Sequence, residues 1–68
     1  MSNNQNLAKN VKRLREAKGL SQEKLARLVD VANNTLIKME TGENINPTLE
    51  TLKRVAKALD VSVDNLIN

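Results

Sequence analysis

The sequence predicts an all-α fold of five short helices, and three observations predict it. Apolar residues recur at helical spacing in separate segments, cap and stop residues punctuate those segments, and the 68-residue length suits a single domain over residues 1–68. Met1 to Asn6 is polar and Asn-rich, without apolar periodicity, and is expected as a flexible tail in which Asn3, Asn4 or Asn6 caps the first helix. Leu7, Val11 and Leu14 mark the inward stripe of that helix, which ends near Lys18 at Gly19. Leu20 leads to Ser21, the N-cap of a second helix over Gln22 to Val29, where Leu25, Leu28 and Val29 share a face. A third helix begins near Ala32 and ends at Gly42, which suits a left-handed C-cap. Leu36, Met39 and Glu40 lie on one of its stripes, and Asn34, Ile37, Lys38 and Thr41 on another. Glu43 to Asn46 is a loop. Pro47 and Thr48 open a fourth helix with the core stripe Leu49, Leu52, Val55, Ala56 and Leu59. Asp60 and Val61 then connect to Ser62, the cap of a short fifth helix ending near Ile67.

Composition narrows the function. The chain has no Cys and no His, which removes disulfides, thiol nucleophiles, imidazole bases and the usual zinc sites; no cofactor, no metal and no enzymatic activity are expected. It has no aromatic residue, so the core must be aliphatic and there is no platform on which single-stranded bases could stack. Apolar runs never exceed two residues, which excludes a transmembrane span or secretory signal and makes the cytoplasm the expected compartment. A domain this small buries only about 60% of the surface its unfolded chain exposes, so a partner or second copy adds stability.

The most informative stretch is Ser21 to Gly42, SQEKLARLVDVANNTLIKMETG. Two short amphipathic helices joined by so few residues must cross steeply, which requires a small residue such as Ala26 where the backbones approach. The second of them keeps a polar face turned outward. This outline of a helix-turn-helix points to double-stranded DNA. Charge agrees: up to Val29 there are seven basic residues against Glu16 and Glu23, a balance of +5, whereas the remainder, four basic and six acidic, sums to −2. Together with VKRLREAKGLSQEKLA, KMETGE and PTLETLKRVAKALDVSVDNL, the stretch resembles the Cro/repressor-type helix-turn-helix family of bacterial and phage regulators, from about Leu7 to Leu66. The resemblance implies a compact five-helix bundle of the lambda-repressor-like type that binds operators as a homodimer.

Base edges in the major groove are read from the exposed start of the second motif helix. Asn34 and Lys38, four residues apart, project from one face; Asn can pair with adenine N6 and N7, and Lys can donate to guanine O6 and N7. The resemblance places Asn33, Asn34 and Lys38 where bases are commonly touched, with Ala32 and Ile37 beside them as contacts to thymine methyl groups. Asn33 has a second reading as the helix cap, since Ala32 is a poor one, and Ile37 as a residue resting on a neighbouring loop. Gln22 and the cap Ser21 beside it are expected on a phosphate, as are Thr41, Asn44 and the loop through Ile45.

Glu40 shares the inward stripe, where a carboxylate is costly unless paired, and Arg15 is its natural partner; the family's recurring Arg and Glu pair matches both positions. The pair is structural, with Arg15 also able to reach a phosphate. Two residues depart from the family pattern: Asp30 stands where a turn glycine is usual, and Ala32 replaces a Ser or Thr cap. Val63 and Ile67, with Ile45 and Leu59 nearby, form either a dimer interface or the edge of a small core. The expected function is a transcriptional repressor on an inverted-repeat operator with half-sites about 34 Å apart. The alternative is a helical protein-interaction module, toxin-neutralising or coactivator-bridging, with weak or no operator binding.

Overall fold

The computed structural model describes residues 3–43 and 46–68, with side chains from Asn6 onward; Asn44 and Ile45, expected at the phosphate and dimer contacts, lie outside the described residues. Five helices make up the described part: α1 (Asn3–Ala17), α2 (Gln22–Leu28), α3 (Asn33–Thr41), α4 (Leu49–Leu59) and α5 (Val63–Ile67). α1 starts earlier than its apolar stripe indicated, so Asn3 to Asn6 of the expected tail are helical. No Gly or Pro interrupts that stretch, and once a helix has nucleated each added residue gains a hydrogen bond at little cost.

The first four helices end in the same way. Gly19, Asp30, Gly42 and Asp60 have φ of 70°, 59°, 80° and 61°. In each case the next N–H donates to the carbonyl five residues back: Leu20 to Arg15 at 3.1 Å, Val31 to Ala26 at 3.0 Å, Glu43 to Lys38 at 3.3 Å and Val61 to Ala56 at 2.9 Å. This is the Schellman closure, which satisfies carbonyls that the helix leaves open. Asp30, standing where a turn glycine is usual, thus takes the left-handed conformation that a Cβ disfavours, and Asp60 repeats it.

Leu20, Val31 and Val61 then pack on the core, and each is followed at once by the cap of the next helix. Ser21 Oγ accepts the Lys24 N–H at 3.0 Å and Ser62 Oγ the Asn65 N–H at 3.2 Å, while Thr48 Oγ1 accepts the Thr51 N–H at 3.1 Å before α4. Ala32 holds the cap position of α3 without a side-chain bond. Asn33 is consequently the first residue of α3 and not its cap, which settles the alternative left open by the sequence.

The core is aliphatic. Val11, Leu25, Val29, Leu36, Met39, Val55, Leu59 and Leu66 are fully buried. α1 lies against both α3 and α5, α2 against α3, and α4 against α5. Asn10 Nδ2 donates to the Leu66 carbonyl at 2.9 Å and ties α1 to α5.

Two leucines expected inside are not. Leu28 is 56% and Leu49 59% exposed. At about 100° per residue, Leu25, Ala26 and Val29 span the inward arc of α2, and Leu28 falls roughly 100° from its centre. Leu49 is the first residue of α4, ahead of half-buried Leu52 where the packed part of the stripe begins. Leu59, expected in the core stripe of α4 and also named beside a dimer patch, is 2% exposed: the core placement holds and the patch loses this residue.

The missing cap gives a direct test of this account. Ala32→Ser should raise stability by about 1 kcal/mol, roughly 4–8 °C in Tm for a domain of this size. Urea and thermal denaturation measure it; an unchanged midpoint would mean that the α3 amides do not need a cap.

Candidate nucleic-acid interface

Four residues, Val29 to Ala32, join α2 to α3. Burial of Leu36 and Met39 turns one side of α3 inward. About 100° of rotation per residue then puts Asn34, Lys38 and Thr41 on the opposite side, flanked by Ile37. The exposures match: Asn33, Asn34, Thr35, Lys38 and Thr41 are exposed and Ile37 is half-buried. Neither Asn34 nor Lys38 is engaged by a side-chain hydrogen bond or ion pair among the described residues. Thr41 Oγ1 donates to the Lys38 carbonyl at 3.1 Å, so its proton is used within the helix.

Behind this surface lies a buried polar cluster. Arg15 Nε donates to Glu40 Oε2 at 2.6 Å and Nη2 to Oε1 at 3.1 Å, and the two side chains are only 10% and 2% exposed. Such a paired, two-point contact between a guanidinium and a carboxylate is among the stronger hydrogen-bonded arrangements available to side chains. Arg15 Nη1 also donates to the Leu20 carbonyl at 2.6 Å. The hydrogen bond that Arg15 donates to Glu40 raises the Arg15 pKa above its ordinary value, against the opposing effect of burial. A group raised in this way keeps its stabilisation below its ordinary pKa and loses it only as pH climbs through the higher value, so no working pH discharges Arg15.

The third member of the cluster was not legible as such. Gln22 Nε2 donates to Glu40 Oε1 at 3.0 Å, and Gln22 is half-buried. A carboxylate accepts only, so the amide nitrogen must face Glu40. One N–H and the carbonyl oxygen of Gln22 remain for a ligand. Ser21, exposed, accepts through Oγ from its own helix and still has its O–H to donate. Along the chain Gln22 and Glu40 are 18 apart, and no periodicity links them.

The exposed carboxylate of Asp30 lies 3.9 Å from Arg54 of α4. At the far side Val63 and Ile67 are half-buried and packed on the core. Among the described residues no group of three or more carboxylates is placed to hold a metal ion, and no helix is long and apolar enough to cross a membrane.

Residues 11–66 match the profile of the family described as Helix-turn-helix. The chain is 36% identical over 62 residues to the HTH-type transcriptional regulator SinR of Bacillus licheniformis, covering 91% of this chain and 56% of that protein. It thus spans little more than half the length of this relative. Among solved structures, it resembles the master regulator for biofilm formation SinR in complex with DNA, with TM-score 0.85, 34% identity and coverage of 91% of this chain and 98% of that one. It also resembles the restriction-modification controller protein C.AhdI from Aeromonas hydrophila, with TM-score 0.85, 33% identity and coverage of 93% and 94%.

Removing one partner of the buried pair should be costly. Arg15→Met is expected to lose about 3–5 kcal/mol by leaving Glu40 unpaired, whereas the double variant Arg15→Met/Glu40→Leu should recover most of that loss. Denaturation of both variants decides it, and a single variant as stable as the parent would remove the pair from the fold's foundations.

Proposed function

The chain belongs to the Cro/repressor-type helix-turn-helix family, and on that premise we propose that it regulates transcription by sequence-specific binding to double-stranded DNA, as a repressor on an inverted-repeat operator. The observation that carries this reading is the outward face of α3, where Asn34 and Lys38 are exposed and make no internal side-chain bond. The DNA complex of the similar SinR domain supports it. The activity is binding, not turnover, and its setting is the cytoplasm.

In this mechanism phosphate contacts fix register and α3 supplies the reading. Asn34 pairs with adenine and Lys38 donates to guanine, while Asn33, freed from capping, is the neighbouring reader. Ala32 and Ile37 meet thymine methyl groups. Ser21 and Gln22 donate to phosphate, with Asn44 on the following loop. Thr41 contributes there only by redirecting its hydroxyl from the Lys38 carbonyl. Arg15 keeps three of its N–H groups on Glu40 and Leu20, so it serves the duplex through Gln22 and not by a strong phosphate contact of its own. A homodimer meeting through the half-buried Val63 and Ile67, with Ile45 alongside, would bring two α3 helices to half-sites about 34 Å apart.

Selection from random duplex DNA at near-physiological salt tests the reading. Enrichment of a two-fold symmetric site is expected, and Asn34→Ala and Lys38→Ala should each relax one base position at a cost of about 1–3 kcal/mol. Gln22→Ala should instead weaken all sequences alike and reduce the salt slope by about 1. No enrichment, with only weak salt-sensitive retention, would favour the protein-interaction module.

A further inference from the structure

Leu28 is the feature of the motif that neither the core nor the proposed DNA surface uses. It stands 56% exposed beside a groove of about 500 Å³ lined by Leu28, Val29, Asp30, Arg54, Lys57 and Ala58. The apolar part is contributed by the end of α2 and by half-buried Ala58; the wall along α4 is cationic.

The charges of that wall differ in how far they are satisfied. Arg54 is paired, with Glu50 at 2.7 Å and Asp30 at 3.9 Å. Lys57, and Lys53 one turn before it, are exposed and make no ion pair among the described residues. Like charges four apart on a helix repel, and an anion beside them relieves both. A phosphate would satisfy the lysines but leave Leu28 in water. An occupant that answers the whole groove carries an aliphatic side chain and carboxylates together.

We propose that the groove between the end of α2 and α4 docks an acidic, aliphatic segment of a partner protein, with an aliphatic side chain against Leu28 and Ala58 and carboxylates facing Lys57 and, one turn before it, Lys53. Asp30 orients the segment, because a carboxylate placed on its side of the groove is repelled. None of the six lining residues belongs to the set assigned to DNA, so the partner can be held while a duplex is bound. The chain would then carry a second protein to its site.

The test is selection of random peptides displayed on phage against the full chain, followed by NMR titration of the enriched peptide, made synthetically. Acidic, aliphatic peptides should be enriched and should shift the amides of residues 28–30 and 54–58. Leu28→Ser and Lys53→Gln/Lys57→Gln should each weaken the peptide about tenfold. Leu28→Ser should leave affinity for the selected duplex unchanged. All three positions are exposed, and circular dichroism checks that the variants fold; if Leu28→Ser does not, the lysine pair decides. Enrichment of basic or uncharged peptides, shifts confined to other residues, or binding undiminished by the substitutions overturns the proposal, as does the absence of any enriched peptide.

Discussion

The contact between Arg15 and Glu40 sets the geometry on which everything else rests. A carboxylate on the inward stripe of α3 is tolerable only because a guanidinium from α1 meets it at two points, and that guanidinium also holds the carbonyl of Leu20 between α1 and α2. One side chain therefore touches three elements. The energy gained relative to an apolar pair is small, since both charges lose water on folding. What the contact supplies is position: neither α2 nor α3 can shift against α1 without breaking it.

Gln22 carries that positional information outward. Its amide nitrogen ends on the same carboxylate oxygen that receives Arg15 Nη2, so a residue in the first turn of α2 is aligned by the side chains of α1 and α3. Preorganisation of this kind lowers the ordering cost of binding, because the amide is already held when a ligand arrives. The elements differ in exposure accordingly: α1 supplies the buried guanidinium, while α2 and α3 carry the outward surface that the proposed reading assigns to DNA.

Much of this was legible in the sequence. The helices, Ser21 and Ser62 as caps and Gly42 as a stop follow from local chemistry or helical spacing; the Arg15–Glu40 pair follows from a carboxylate on an inward stripe together with the family resemblance, and the structure has them all. Leu28 and Leu49 were misplaced because a periodic apolar residue is inside only where another element covers it, and that depends on short helices meeting in three dimensions. Leu59 follows its core stripe, and only its second reading as a neighbour of a dimer patch falls away. The bond between Gln22 and Glu40 is long-range and leaves no local trace. The outward stripe of α3 was visible in the sequence, but what it meets depends on a partner that the chain alone does not encode.

The repeated helix ending has a consequence for how such a domain can change over time. α1, α2 and α4 each close with a left-handed residue, an apolar residue and the cap of the next helix. The bends are thus made by backbone bonds and inward side chains, and none draws on the outward face of α3. Asn34 and Lys38 can be exchanged for other polar residues without loosening a turn or opening the core. Stability and the proposed address thus fall on separate residues, so selection could rewrite that address one position at a time while the fold stays as it is.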